Sequence, residues 1–311
     1  MDPLSDIVSL LRPHDCVAAG LDAGGDWAVR FRRHEGLKCN AVLKGECWLA
    51  VEGVPEPLRL ETGDCVILPH GRPFLISARR RSSGQDAETL YSPVRHGGTA
   101  VYGGGGDFFM TGSRFLLSGP AADVLLAALA PVVLVRPDAR QETVRWSLER
   151  IAEALREPRP GGALAISHLS HVVLLQALGC HLENAPPGTG GWLAAIADPQ
   201  LSRAVAAMHE DPARAWTVEA LASRAGLSRT SFATRFRETV RQTPMGYLTQ
   251  WRMLFAAERL CRTGASIARV AGEVGYASES AFAVAFKRAT GVSPGRYARE
   301  AKASRPEAEG A

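Results

Sequence analysis

Ser228-Arg229-Thr230-Ser231-Phe232-Ala233-Thr234-Arg235-Phe236-Arg237 is echoed fifty residues later by Ser278-Glu279-Ser280-Ala281-Phe282-Ala283-Val284-Ala285-Phe286-Lys287. The register holds downstream, where Thr243 falls on Ser293, Pro244 on Pro294 and Tyr247 on Tyr297. Upstream, after a one-residue slip, Ala222 and Gly226 pair with Ala271 and Gly275. A repeat at this period signals a duplicated supersecondary unit. Each copy reads as two helices joined by a tight turn, which is the outline of a helix-turn-helix.

The local chemistry supports that outline. Thr217 is a suitable N-cap, and Val218, Leu221, Ala222 and Ala225 share one helical face. Gly226 supplies a residue that tolerates positive φ at the turn, and Ser228 caps the next helix. Phe232 and Phe236 stand one turn apart, so both face inward. Arg229, Thr230, Thr234 and Arg237 then face outward. In the second copy Ser278 caps, Phe282 and Phe286 anchor, and Glu279, Ser280, Val284 and Lys287 face outward. These eight outward residues are the expected DNA contacts. Between the copies, Met245–Arg262 reads as an amphipathic helix that fixes their spacing.

The charge is asymmetric. From Gln200 to Ala311 there are 17 Lys/Arg and 10 Asp/Glu, a balance of +7; the remainder, with 19 and 22, carries −3, giving the chain's +4. A basic C-terminal third suits a phosphate backbone. Charge alone fits a helical bundle with a solvated basic face equally well. The in-register caps, turn glycines and paired phenylalanines are what reject the bundle.

Gly275-Tyr276-Ala277-Ser278-Glu279-Ser280-Ala281-Phe282, then Ala285-Phe286-Lys287-Arg288, then Gly291-Val292-Ser293-Pro294 and Tyr297, resembles the C-terminal signature of the AraC/XylS family of transcription regulators. Trp216-Thr217-Val218, Leu221-Ala222 and Pro244-Met245-Gly246-Tyr247-Leu248 resemble the rest of its DNA-binding domain. The likeness spans about the last hundred residues. It implies promoter DNA as partner, and RNA polymerase as a further partner if the protein activates. Val284 departs from the family, many of whose members carry a polar or basic residue there. It suits an apolar contact with a thymine methyl.

The first third reads as β. Trp27–Arg32, Asn40–Leu43, Cys47–Glu52, Leu58–Leu60, Cys65–Pro69 and Phe74–Ala78 are short apolar or alternating runs bounded by turn residues. Leu60-Glu61-Thr62-Gly63-Asp64-Cys65-Val66-Ile67-Leu68-Pro69-His70-Gly71 resembles the second motif of the cupin barrels, and Lys44-Gly45-Glu46-Cys47-Trp48 part of the first. Helices are expected over Asp123–Leu134, Glu142–Arg156 and Ala163–Asn184. The fold class is therefore α+β: an N-terminal cupin-like β-barrel with following helices, then an all-α domain with two helix-turn-helix units. The expected boundaries are 1–185 for sensing and self-association, 186–199 for a linker rich in Pro and Gly, 200–300 for DNA binding and 301–311 for a polar tail. Tyr102-Gly103-Gly104-Gly105-Gly106-Asp107 reads as a connection, because no Lys-Ser/Thr pair follows to make it a phosphate loop.

Cupin enzymes hold a metal on several His and a carboxylate. Here Phe74 stands where the second motif's His ligand belongs, and His34, with Glu46 or His70, does not complete a site. His168 and His171 lie i,i+3 on a helix without a carboxylate or Cys at partner spacing. No metal or cofactor is expected, and no catalytic residues. A ligand-free barrel suits an organic molecule, with Trp27, Phe31, Trp48 and Phe74 as candidate lining residues. Among six cysteines, Cys16 and Cys39 are candidate redox sensors, since Lys38 beside Cys39 favours a thiolate; core packing is the blander reading. The sequence thus predicts a regulator answering a small molecule or an oxidant. The competing reading is a metal-dependent cupin enzyme with an accessory DNA-binding domain. A homodimer in the cytoplasm is expected, because no secretory signal or 20-residue apolar run is evident.

Overall fold

The structure, a computed structural model, describes residues 3–6, 14–80, 83–94, 98–117, 122, 126, 127, 129–136, 142–157, 159–183 and 191–303. It divides into two compact units, Pro13–Leu117 with Leu129–Asn184, and Ala185–Ala311 with Met1–Arg12 and Ser118–Ala128.

The first unit is built on two sheets. Its strands are β1 (His14–Ala23), β2 (Ala28–Phe31), β3 (Leu37–Lys44), β4 (Glu46–Val51), β5 (Leu58–Glu61), β6 (Cys65–Leu68), β7 (Phe74–Ser77), β8 (Gln85–Asp86), β9 (Thr99–Tyr102), β10 (Phe108–Leu116) and β11 (Val133–Val135). One sheet runs β11-β6-β3-β10-β1-β9, the other β5-β4-β7-β2-β8. Period-two alternation aims one side of each strand at a shared core. Leu21, Val42, Val66, Leu68 and Met110 come from the first sheet; Val29, Leu49, Leu60, Phe74 and Ile76 come from the second.

The opposite face of the six-stranded sheet, with Cys39, Ile67, Phe109 and Phe115 buried on it, is covered by two helices, α2 (Glu142–Arg156) and α3 (Gly162–Glu183). The Ser113 and Ser170 hydroxyls meet across that layer at 2.9 Å. A short helix, α1 (Ala87–Tyr91), is capped by Asp86, whose side chain accepts from Glu88 N. The glycine run closes the turn from β9 to β10: Gly105 N donates to Tyr102 O at 3.0 Å and Gly106 N to Asp22 Oδ1 at 2.7 Å.

Three expectations need correction. The predicted helix Asp123–Leu134 ends in a strand, because Val133-Leu134-Val135, with β-branched Val at both ends, pairs with β6; residues 123–125 and 128 lie outside the described ones. Trp192–Ala197, set inside the expected linker 186–199, is a helix whose Trp192, Leu193 and Ala195 are buried in the second unit; residues 186–190 lie outside the described ones. An apolar run of membrane-span length does exist, since Gly162–His181 passes on length and composition with a mean hydropathy of 1.5. One side of that helix packs on α2 and the sheet, which accounts for its apolar residues there.

The second unit contains α4 (Trp192–Ala197), α5 (Leu201–Glu210), α6 (Val218–Ala225), α7 (Arg229–Val240), α8 (Pro244–Thr263), α9 (Ile267–Glu273), α10 (Glu279–Thr290) and α11 (Pro294–Ala303). The duplication is physical. Thr217 and Ser266 cap α6 and α9, Ser228 and Ser278 cap α7 and α10, and each side-chain oxygen accepts from the N–H three residues on. Gly226 and Gly275 turn the chain at φ of 69° and 78°. The ring pairs Phe232–Phe236 and Phe282–Phe286 lie 5.5 Å apart in both copies. Tyr247 and Tyr297 meet Phe236 and Phe286 edge-on at 5.8 and 5.4 Å. All four phenylalanines are fully buried. Each such burial contributes about 1.5–3 kcal/mol, which holds in place twelve-residue helices that are marginal alone.

Helix α8 serves both copies. Its N-terminal half carries Tyr247 and Trp251, which enclose His209 of α5: Tyr247 Oη lies 2.7 Å from Nε2, and Trp251 stacks at 3.6 Å. Asp6, from helical residues 3–6, places Oδ2 3.5 Å from His209 Nδ1. The C-terminal half of α8 carries Met253, Ala256, Ala257 and Leu260 into one core with Val270, Val274, Phe282 and Phe286.

Candidate nucleic-acid interface and barrel cavity

The buried phenylalanines fix which side of each second helix faces out. On α7, Arg229, Thr230, Thr234 and Arg237 are exposed; on α10, Glu279, Ser280, Val284 and Lys287 are exposed. Val284 is 71% exposed, an apolar side chain standing in water on the outward face of α10. Such a side chain suits a thymine methyl. Arg229 Nε lies 2.7 Å from Glu219, and both partners are well exposed. An exposed pair of this kind is worth about 0–1 kcal/mol, so Arg229 is easily released to another acceptor.

Arg235 acts within the fold instead. It holds Asp198 at 2.6 Å and Gln200 at 2.6 Å, tying α7 to the start of α5. Asp198 also accepts from Gln200 N and Leu201 N, and these bonds with Arg235 hold its carboxyl below the usual range despite partial burial. Arg241 was not among the expected contacts. It is exposed and closes α7 in the left-handed region at φ 63°, where the second copy has Gly291 at φ 81°. That mismatch in the repeat was visible in the sequence.

In the first unit a cavity of about 340 Å³ opens between the sheets. Phe31, Phe74, Tyr91 and Met110 form its apolar wall, and Lys38, Arg114, His34 and Asn40 its polar side. Phe31 and Phe74 stack at 4.4 Å, and Lys38 Nζ sits 4.3 and 5.0 Å from their ring centres. The other two aromatic candidates lie elsewhere. Trp27 packs on Phe108 at 4.6 Å within the core, and Trp48 falls on the outward phase of β4. Sequence reasoning missed Lys38, although it stands in step with the inward Asn40 and Val42 on β3.

Burial and the Arg114 charge draw the Lys38 amine down to about 8, so it stays cationic at neutral pH. Burial, then Lys38, draw His34 down to about 4, which leaves the imidazole neutral. Among the described residues no three His, Cys, Asp or Glu side chains gather as metal ligands. His70 is bound to Leu129 O at 3.1 Å, and Glu46 faces Arg59.

Cys39 lies on the other side of β3 from Lys38, beneath the covering helices, so the neighbouring charge does not reach it as a thiolate partner. Its Sγ is 3.4 Å from that of Cys65. The bond to Cys65, then burial, push the Cys39 thiol well up, and burial raises Cys16.

A cupin-type double sheet and a duplicated helix-turn-helix with two exposed helix faces define a DNA-binding protein with an additional N-terminal domain. Residues 2–183 match the Cupin family, and residues 221–300 match the helix-turn-helix domain family. An AraC-like transcription regulator of Streptomyces lividans is 42% identical over 298 residues, covering 96% of this chain and 98% of its own. The RCS-specific HTH-type transcriptional activator RclR of Escherichia coli is 28% identical, covering 96% and 97%. Among solved structures, the DNA-binding domain of AdpA in complex with a target DNA is 34% identical over 35% of this chain and 98% of its own, with a TM-score of 0.33. Unsaturated fatty acid bound ToxT of Vibrio cholerae is 12% identical, covering 94% and 97%, with a TM-score of 0.39. The chain belongs to the AraC-like transcription regulators and is a DNA-binding regulator of transcription.

Proposed function

We propose that the protein reads promoter DNA with α7 and α10, and that a signal received by the N-terminal unit sets its output. The observation that carries this is the exposure of Arg229, Thr230, Thr234 and Arg237, and of Glu279, Ser280, Val284 and Lys287, on two helices built alike. Arg229 and Thr234 serve base readout, while Arg237 and Lys287 serve phosphate. Replacing Arg229 or Thr234 by Ala should weaken binding to the cognate site by about 1–3 kcal/mol and relax preference at one position. Fluorescence anisotropy on matched and mutated operators checks this. An unaltered sequence preference would remove these residues from base readout.

The barrel cavity supports a small molecule as the signal. An oxidant acting on Cys16 and Cys39 finds weaker support. Cys39 and Cys65 are diagonal neighbours on β3 and β6, since Cys39 faces Ile67 and Ala41 faces Cys65. Their sulfurs meet at 3.4 Å, but the bond to Cys65 and burial hold the Cys39 thiol well above its ordinary range, and burial raises Cys16, which disfavours the reactive thiolate.

A homodimer is supported by α3, whose Leu164 and Leu175 are exposed at 64% and 37%. Self-association would bring two pairs of reading helices to one operator and raise avidity. Action in the cytoplasm, without catalysis and with RNA polymerase as partner at activated promoters, fits this reading.

A further inference from the structure

We propose that the barrel cavity binds a small organic anion, a carboxylate on an apolar body, with Lys38 and Arg114 receiving the carboxylate and Phe31, Phe74, Tyr91 and Met110 holding the body. The inference rests on reading the N-terminal unit as a ligand-binding domain. It deepens that reading by fixing the ligand's charge.

The argument begins with charge that the fold leaves unbalanced. Arg32, Arg33, Lys38 and Arg114 line the cavity against two carboxylates, Asp86 and Glu88. Both carboxylates face Arg32, at 2.7 and 3.9 Å. Among the described residues Lys38 and Arg114 meet no carboxylate at all. Lys38 is partly buried against two aromatic faces. A cation drawn from water without a partner is destabilising, and an unmatched one lining a cavity is poised for an anion.

A second observation is independent of charge. Asn40 lines the same cavity, is 6% exposed, and its Nδ2 is buried without a partner. Buried donors are nearly always satisfied, so this one calls for an acceptor from outside the fold. Gly112 makes room for Asn40, because a Cβ there would lie 2.6 Å from Asn40 Oδ1. The remaining wall is apolar and aromatic. A mostly apolar cavity of about 340 Å³ with a few convergent polar groups suits a small ligand held at one end. A sugar would leave the cations unmatched, and a metal ion would meet them with repulsion.

Calorimetry on the full chain tests this with matched acids and primary amides: phenylacetate and phenylacetamide, 4-phenylbutyrate and 4-phenylbutanamide, octanoate and octanamide. At least one acid should bind, with its amide about 10- to 100-fold weaker, as expected for losing a charge-assisted bond. Lys38→Met should weaken the acid by the same factor, leave the amide unchanged, and melt no lower than wild type because an unpartnered cation has gone. Arg114→Gln is the second variant, expected to act in the same direction. Equal binding of acid and amide, or an acid indifferent to both variants, overturns the proposal while keeping a ligand-binding domain. If no compound binds, the anion proposal falls. Transcription from the target promoter with the cavity-filling Ala19→Phe variant, checked for a wild-type melting curve, then judges the wider reading. Altered output keeps the cavity as a signal site, and unaltered output removes it.

Discussion

His34 shares the cavity with two cations, and its titration follows from that company. Its Nδ1 lies 3.4 Å from Glu35 O, its ring meets Phe74 edge-on at 6.0 Å, and Lys38 and Arg114 both oppose its protonation. The same cavity presents Arg32, Arg33, Asp86 and Glu88, the last two facing Arg32. The folded pKa of about 4 lies below the ordinary 6.5, so the unfolded chain binds the proton first. The His34 contribution to stability is therefore complete above pH 6.5 and declines as pH falls toward 4. Urea unfolding of His34→Gln beside wild type should show a shallower loss over that window. Parallel curves would mean that His34 titrates as if in water.

At the same scale, the outward residues of α7 and α10 were legible because inward phenylalanines at i and i+4 leave little choice for their neighbours. Lys38 was not legible as a cavity-lining residue. Its significance depends on facing Phe31 and Phe74 across two sheets, a pairing that no local pattern encodes.

Capping and turn chemistry decided the elements of the second unit. Each N-cap oxygen satisfies one orphan N–H, and loss of such a cap costs about 1 kcal/mol. The anchors weigh more. Phe282→Ala should lower stability by about 3–5 kcal/mol, because the ring is fully buried among Val270 and Ala271 of α9, Val274 at its C-cap, and Met253 and Leu260 of α8. A thermal melt of the variant matching wild type would contradict that packing.

The strands of the first unit were legible where they alternate, as in β4, and less so where they are buried on both faces. β1 reads His14-Asp15-Cys16-Val17-Ala18-Ala19-Gly20-Leu21-Asp22-Ala23, rich in Ala and Gly, and owes its strand state to β10 on one side and β9 on the other. Tertiary pairing, not propensity, makes that strand. β11 was hidden for the converse reason: its apolar run is as compatible with a helix as with a strand until its partner β6 is known.

For the whole molecule, the chain divides into two compact units, and the helix α4 falls in the one that carries both helix-turn-helix copies, as do Met1–Arg12 and Ser118–Ala128 of the expected 1–185 domain. The basic third predicted from charge carries both helix-turn-helix copies. On the proposal that two copies meet on one operator, the exposed Leu164 and Leu175 of α3 are the surface to test. Leu164→Glu combined with Leu175→Glu should yield a monomer in sedimentation velocity and weaken operator binding. An unchanged sedimentation coefficient would move the self-association surface elsewhere.

The most direct test is hydroxyl-radical footprinting of the full chain on its promoter. Two helix-turn-helix units reading successive major-groove segments should protect two patches on one face of the duplex, about 34 Å apart per bound protein. Glu279→Ala with Ser280→Ala should fade one patch, and Arg229→Ala with Thr234→Ala the other. A single patch that ignores both double substitutions would contradict the account.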